Sequence, residues 1–416
     1  MEAQQQKTSV LVITPQYEPD FGPSAPIYTG LCEDLSALGD EVTVVTGFPH
    51  YAGAEAYYHA DHKWIAEDQK NGVRILRTFV YKVPKRSLWR RLLYHLSFNL
   101  FSTLAALRVK KVDMIIADAP SLWSGLPLLV KAIFPGVPYV YVVHDIYPDV
   151  MVNLGVLHNP SMVRWIERIE NFFYKKCAKV SVLSTGFKDN LIHKGVPAEK
   201  IEVVPVCVDV DFIRPIEGEN QLREKWGLKD KYVVLYAGNM GLSQGLENVI
   251  KAAQLLKNHA EIEFILVGEG ATRQELQQMI DQLDLHNVQL FSFLPREEVP
   301  WLYDLADVGL VSLKKGIVVE SVPSKTYSIM ASGRPFIATV DRDTEIGHLL
   351  DEAQCGLWVE PENPEALARA ILQIYEDQAS GLEMGKRARN FVVEHFSRQV
   401  AANQYQQMIV QRFNGR

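Results

Sequence analysis

Tyr232-Val233-Val234-Leu235-Tyr236-Ala237-Gly238-Asn239-Met240-Gly241-Leu242-Ser243-Gln244-Gly245 runs from a β-branched and aromatic stretch into a glycine-rich turn. The apolar rhythm from Leu246 to Leu256 is then that of a helix. A strand ending in glycines at the mouth of a helix exposes backbone N–H groups, which suit a phosphate or diphosphate. The spacing is not G-x-G-x-x-G and no Walker A sequence occurs, so neither the dinucleotide fingerprint nor an ATPase loop is indicated. One unit later, Val267-Gly268-Glu269-Gly270 repeats the arrangement.

The same alternation extends outward in both directions. Downstream, strands are expected at Phe264 to Val267, Val288 to Phe291, Val308 to Val311 and Pro335 to Thr339. Helices fall at Arg273 to Leu283, Val299 to Leu305, Ser324 to Ala331 and Pro364 to Ile374. Upstream, strands are expected at Val10 to Ile13, Val42 to Val45, Val73 to Leu76, Met114 to Ile116, Tyr139 to Val143, Val180 to Leu183 and Ile201 to Val204. Helices are expected at Ile27 to Leu38, Trp89 to Val109, Leu122 to Ile133 and Ser161 to Lys176. Short strands alternating with helices imply βαβ units and parallel sheets.

At 416 residues the chain is long enough for two such domains. The expected organisation is a first α/β domain over 1–207, a linker over 208–218 where Asp209, Asp211, Arg214, Pro215 and Gly218 break the periodicity, and a second α/β domain over 219–397. A final helical segment, 398–416, is long enough to cross back to the first domain. Open α/β sheets bind ligands beyond the carboxyl ends of their strands, so two facing sheets would form a cleft with those ends lining it.

Composition excludes several classes. The chain is 47% hydrophobic and 22% charged, as globular proteins are, and its net charge of −7 lacks the surplus of a nucleic-acid binder. Four scattered cysteines, Cys32, Cys177, Cys207 and Cys355, form no C-x-x-C pair or metal-ligand cluster, which fits a reducing cytoplasm and no metal site. The start of the chain lacks the pattern of a signal peptide.

One window departs from the acidic whole. Lys82, Lys85, Arg86, Arg90, Arg91, Arg108, Lys110 and Lys111 occur with no acidic residue among them. They flank Leu92 to Leu107, a stretch too short and too polar to span a bilayer. The window suits an anionic surface, such as the inner leaflet of a membrane; the alternatives are a solvated helix end and an ordinary packed helix.

Three segments carry the candidate chemistry. In the first domain, Thr14 to Pro23 contains Tyr17 and Gly22 in a loop between the first strand and a helix, where a glycine lets backbone approach a ligand. His144-Asp145-Ile146-Tyr147-Pro148-Asp149 follows the strand Tyr139 to Val143, and His144 there is expected to meet a ligand, a satisfied core histidine being the alternative. In the second domain, Glu320-Ser321-Val322-Pro323-Ser324-Lys325 leads into a helix. Lys325 falls in the first turn, where a cation opposes the helix dipole and is best explained by an anion at the same end. Glu320 is then placed for a sugar hydroxyl.

Taken together, Tyr17-Glu18-Pro19, Thr46-Gly47-Phe48-Pro49-His50-Tyr51, His144 to Asp149, Gly238 to Gly241 with Gln244 to Asn248, and Pro323-Ser324-Lys325 resemble the retaining glycosyltransferases of family 4. Within them the likeness is to the bacterial branch that makes colanic acid and N-acetylfucosamine-containing polysaccharides. The resemblance covers nearly the whole chain. It implies the GT-B fold: two Rossmann-like doubly wound domains, donor nucleotide on the second, acceptor on the first. It also implies roles. Glu320 matches the first glutamate of an E-x7-E signature that contacts the transferred sugar, while Ser328 stands where the second, ribose-binding glutamate is usual. Asn239 and Gln244 stand where the family places a diphosphate-binding Arg and Lys, which leaves Lys325 to neutralise the phosphates beside the Gly238 to Gly245 turn. His144 matches a histidine that touches the donor sugar, and Glu345 a glutamate that closes the donor pocket. Gly238, Gly241, Gly268, Leu294 and Ser324 complete the implied donor set; Tyr17, Gly22, Asp145, Arg90 and Arg91 make up the acceptor set.

The expected activity is transfer of a hexose or N-acetylhexosamine from a nucleotide diphosphosugar, UDP-linked by preference, to a glycan or lipid-linked acceptor. No cofactor and no metal are implied. The protein would work in the cytoplasm, at the inner face of the membrane. Two other readings remain at this point: a sugar-nucleotide epimerase on the same fold, and a non-catalytic sugar-nucleotide-binding protein, which the uncharged Asn239, Gln244 and Ser328 would suit.

Overall fold

The computed structural model describes residues 7–20, 24–49, 64–81, 88–153, 157–317 and 323–411, without the side chains of 88–92. The chain forms two compact units. One comprises residues 1–205 together with 401–416, the other residues 206–400.

The first unit is built on eight strands: β1 (Ser9–Ile13), β2 (Glu41–Gly47), β3 (Ile65–Lys70), β4 (Val73–Thr78), β5 (Met114–Asp118), β6 (Tyr139–Val143), β7 (Lys179–Val182) and β8 (Ile201–Val203), ordered β3-β4-β2-β1-β5-β6-β7-β8. The inner strands are near-continuous Val and Ile runs because helices cover both faces, so alternate residues have no water to face. The register pairs Val10 with Val42 on one side and Met114 on the other. Neighbours of β1 therefore lie in opposite sequence directions, which makes the β1–β5 boundary the switch point of this sheet.

The pattern departs from the expected all-parallel sheet at one edge. β3 pairs antiparallel with β4 through a two-residue turn, Asn71 at φ 48° and Gly72 at φ 80°. Asn-Gly is the preferred sequence for that hairpin, but β3 itself reads Ile-Ala-Glu-Asp-Gln-Lys. An edge strand half in water has no reason to carry the β-branched signal. The helix expected over Leu122 to Ile133 also differs, being α-helical only through Leu128 and then widening to a π turn over Leu129–Ile133 just after Pro127.

Three helices of this unit matter below: α1 (Ala25–Ala37), α2 (Leu88–Ala106) and α3 (Ser121–Leu128). The last helix of the chain, Arg398–Gln411, passes its residues from Ala401 onward to the first unit. There the hydroxyls of Tyr405 and Ser181 share a hydrogen bond of 3.0 Å.

The second unit has six parallel strands: β9 (Tyr232–Ala237), β10 (Ile262–Val267), β11 (Val288–Phe291), β12 (Val308–Ser312), β13 (Phe336–Thr339) and β14 (Gly356–Val359), ordered β11-β10-β9-β12-β13-β14. Its switch point lies between β9 and β12. Val233 and Leu235 pack into a core on one face, and Tyr232, Val234 and Tyr236 into a second core on the other. Val208 and Ile213 are buried in the first of these cores, so the stretch 208–218 packs against this unit.

Candidate functional site

In the second unit the chain leaves β9 through Gly238. The close approach of β9 and β10 at their carboxyl ends is what demands glycine: a Cβ on Gly268 would collide with the Gly238 carbonyl, and one on Gly270 with the Met240 carbonyl. Gly238 N donates to Val267 O at 2.9 Å and Met240 N to Glu269 O at 2.8 Å, so the two turns are laced together. The helix Ser324–Ala331 starts beside them, with Pro323 as its cap residue and Lys325 in its first turn.

Lys325 is the centre of this arrangement. Its Nζ donates to the Gln244 side-chain oxygen at 2.6 Å and to the Tyr236 hydroxyl at 2.9 Å. The Tyr236 hydroxyl in turn donates to the Asn239 carbonyl at 2.7 Å. No carboxylate among the described residues pairs with Lys325, and burial pulls its ammonium down to about 7. Two neutral acceptors hold the ammonium without cancelling its charge, which leaves one N–H for an anion.

Gly238, Asn239, Gln244, Leu294, Ser324 and Lys325 all line one cavity of about 380 Å³, which Phe293 and Tyr303 also line. The volume suits a nucleotide-sized ligand. Gly241, Gly268, Ser328 and Glu345 lie outside that lining. Gly268 serves as the backbone contact just described, Ser328 sits against the Tyr303 hydroxyl, and Glu345 begins the helix Glu345–Ala353. Glu320 lies outside the described residues. Tyr236, Tyr303 and Phe293 were not singled out from sequence, because an aromatic in an apolar run reads as core until its hydroxyl or ring is placed.

In the first unit a buried polar group occupies the carboxyl ends of β1, β5 and β6, at that sheet's switch point. His144 Nε2 lies 3.9 Å from Asp118 Oδ1 across β5 and β6. Among the described residues neither atom has a hydrogen-bond partner, nor does the Thr46 hydroxyl, and the buried Tyr28 hydroxyl lies against the Asp118 carboxyl. Thr14 Oγ1 donates to the other Asp118 oxygen at a long 3.4 Å, and the Tyr28 ring meets the His144 ring edge-on at 5.7 Å between centroids. Burial raises the Asp118 carboxyl well above its usual range and lowers His144 to about 4, so both favour their neutral forms. His144 still exposes 19% of its side chain, and Asp145 beside it is exposed. Asp118 escaped the sequence reading because an acid closing the strand Met-Ile-Ile-Ala-Asp looks like any strand end.

The acceptor set fares unevenly. Tyr17, expected at an acceptor, is 1% exposed and is a packing residue of its loop. Gly22 lies outside the described residues. Arg90 and Arg91 fall within α2, but their side chains are not described. Among the described residues no group of three His, Cys, Asp or Glu is arranged to hold a metal, and no helix is long and apolar enough to cross a membrane.

Two parallel-sheet units, each with a switch point and the second with glycine-laced strand ends, make the GT-B fold. Residues 28–212 match the family model described as Glycosyltransferase Family 4, and residues 218–391 that of Glycosyl transferases group 1. WcaI of Escherichia coli (strain K12), named for colanic acid biosynthesis glycosyl transfer, is 31% identical over 358 residues, 83% of this chain and 87% of its own. The chain belongs to glycosyltransferase family 4. Among solved structures, sucrose-phosphate synthase of Thermosynechococcus elongatus superposes with a TM-score of 0.72 at 19% identity, over 99% of this chain and 100% of that one. HepE of Anabaena, solved with UDP, gives 0.69 at 18% identity over 97% and 100%.

Proposed function

We propose that this glycosyltransferase moves a hexose or N-acetylhexosamine, with retention of anomeric configuration, from a UDP-sugar to a growing glycan on a lipid-linked acceptor. The product would serve cell-surface polysaccharide synthesis. The observation that carries the reading is Lys325, a cation at a helix start that meets no carboxylate among the described residues, lining a nucleotide-sized cavity beside the Gly238 turn. The UDP bound in HepE and the naming of WcaI for colanic acid support the nucleotide and the pathway class.

The chemistry follows from charge. As the bond between the anomeric carbon and the diphosphate breaks, positive charge grows on the ring and negative charge on the leaving phosphate. Donors already aimed at that phosphate stabilise the transition state more than the ground state. Lys325 and the backbone N–H groups of the glycine turn fill that role. The acceptor hydroxyl forms the new bond on the face the phosphate leaves and gives its proton to a phosphate oxygen, which preserves configuration without a protein nucleophile. His144 and Glu320 would contact the transferred sugar.

The test is donor-dependent transfer. Purified protein is offered UDP-, GDP- and ADP-sugars with a membrane lipid extract, and products are read by mass spectrometry. Product from a UDP-sugar with retained configuration, lost in Glu320→Ala and Lys325→Ala, supports the proposal. Binding of donors without transfer, or an epimerised sugar nucleotide, overturns it.

A further inference from the structure

Asp118 is a buried acid that the proposed reaction does not use. Its side chain is 1% exposed, it closes β5 at the switch point of the first sheet, and no Lys or Arg among the described residues pairs with it. The backbone around it is tied down. Asp118 is in register with Val142, Ala119 N donates to Val142 O at 2.8 Å, and Ser124 Oγ, in α3, donates to the Asp118 carbonyl at 2.7 Å. His144 follows two residues after Val142, and residues two apart share a face, so register brings the carboxyl and the imidazole together. Each side chain turns one polar atom to the other and one elsewhere. Asp118 Oδ1 faces His144 Nε2, while Oδ2 accepts from the Thr14 hydroxyl. Nε2 is buried; Nδ1, on the other edge of the ring, reaches solvent and makes no hydrogen bond among the described residues.

The place of the proton follows. An ionised Asp118 would be a buried anion with no cation to balance it, and the charge of Asp145 bears on it with like sign. The hydroxyls of Thr14 and of Tyr28, from α1, favour the anion, but burial outweighs them and keeps the carboxylic acid. Burial favours the uncharged imidazole as well. A carboxylic acid has one O–H to give, and a neutral imidazole has one bare nitrogen to take it. Oδ2 already accepts from Thr14, so the acid proton belongs on Oδ1, facing Nε2. An imidazole that accepts at Nε2 carries its own proton on Nδ1. The contact of 3.9 Å is too long for a hydrogen bond, a gap of the kind that closes when a ligand fills a site.

We propose that Asp118 is the positioning residue of His144: it holds the imidazole in the tautomer protonated at Nδ1, so that the histidine meets its ligand as an N–H donor and not as a base. The group that fits such a donor is an acceptor oxygen, such as that of a sugar hydroxyl. The identity of the ligand rests on the transferase reading, whereas the tautomer does not. The test is long-range nitrogen–proton correlation NMR on the full chain with isotopically labelled histidine, at pH 7 and without substrate. The His144 signals are those missing from His144→Gln. A protonated Nδ1 beside a bare Nε2 is expected; the reverse pattern, or an imidazolium, overturns the proposal. Asp118→Leu removes the donor and should move the proton to Nε2, whereas the amide of Asp118→Asn donates to Nε2 as the acid does and should keep the wild-type pattern. The same tautomer in both variants also overturns the proposal, and if Asp118→Leu fails to fold the wild-type spectrum decides alone. In the transfer assay Asp118→Leu is expected to lower kcat/KM at least about tenfold and Asp118→Asn to restore most of it. The expected tautomer without transfer from any donor sinks the transferase reading alone; transfer with the reverse tautomer sinks this inference alone.

Discussion

The Lys325 ammonium lies 2.9 Å from the Tyr236 hydroxyl and 4.2 Å from the centroid of the Tyr236 ring. Strand β9 therefore holds the one cation of the helix start by its aromatic residue, from the side and through neutral contacts. A carboxylate in that place would fix the lysine as firmly but would spend its charge. Tyr236 and Gln244 position the charge and leave it available to a phosphate.

Replacing Lys325 should consequently hurt transfer far more than folding. Lys325→Met keeps the apolar stem and removes the charge, and kcat/KM is expected to fall about a hundredfold or more. Thermal stability should hold or rise, because a largely buried cation with no carboxylate partner among the described residues is lost. Steady-state kinetics and a melting curve on one preparation check both.

The depressed pKa of about 7 gives a pH signature. A bound diphosphate favours the charged lysine and raises its pKa, so above pH 7 binding must take up a proton that the free site lacks. Calorimetry of UDP binding at pH 8, in buffers of different ionisation enthalpy, should show net uptake approaching one proton. Affinity should weaken as pH rises above 7. Lys325→Met should abolish both effects.

Gly268 tests the backbone of the site without touching its charges. Gly268→Ala places a methyl group on the Gly238 carbonyl, and two laced turns cannot move apart without breaking their hydrogen bonds. A loss of about 1–3 kcal/mol in unfolding free energy is expected, together with weaker UDP binding. Gly136→Ala, where nothing lies within 4 Å, controls for the strain of a positive φ alone.

Asp118 and His144 predict opposite pH trends. The carboxyl is raised from its ordinary 3.8, so as pH climbs past that value the unfolded chain ionises first and the native state loses stability. Asp118→Asn keeps the shape and cannot titrate, and its melting temperature should gain on wild type as pH rises from 4 to 7. His144 is lowered from 6.5 to about 4, so it costs the native state stability as pH falls through that window. His144→Gln should flatten that decline. Melting curves across the range decide both.

Most of the scaffold was legible in the sequence. Buried parallel strands must be continuous apolar runs and their helices must be amphipathic, so β9 to β13 and the helices between them can be read one after another. The exceptions are elements that local pattern does not require. β3 is a polar edge strand, β14 is a four-residue strand with a half-exposed tryptophan, and the helix Glu345–Ala353, though amphipathic, is only nine residues long. Lys325 was legible for a local reason too, since a cation in a first turn is misplaced wherever no anion comes.

The sequence by itself determined the fold class, the family and the glycine turn, because each depends on residues close together along the chain. Only tertiary structure decided which side chains meet. Tyr236 reaches Lys325 from 89 residues away, and Asp118 faces His144 because β5 and β6 are neighbours. The same holds for α2, which carries leucines on more than one face among polar residues; which of its faces the sheet covers is settled by packing alone.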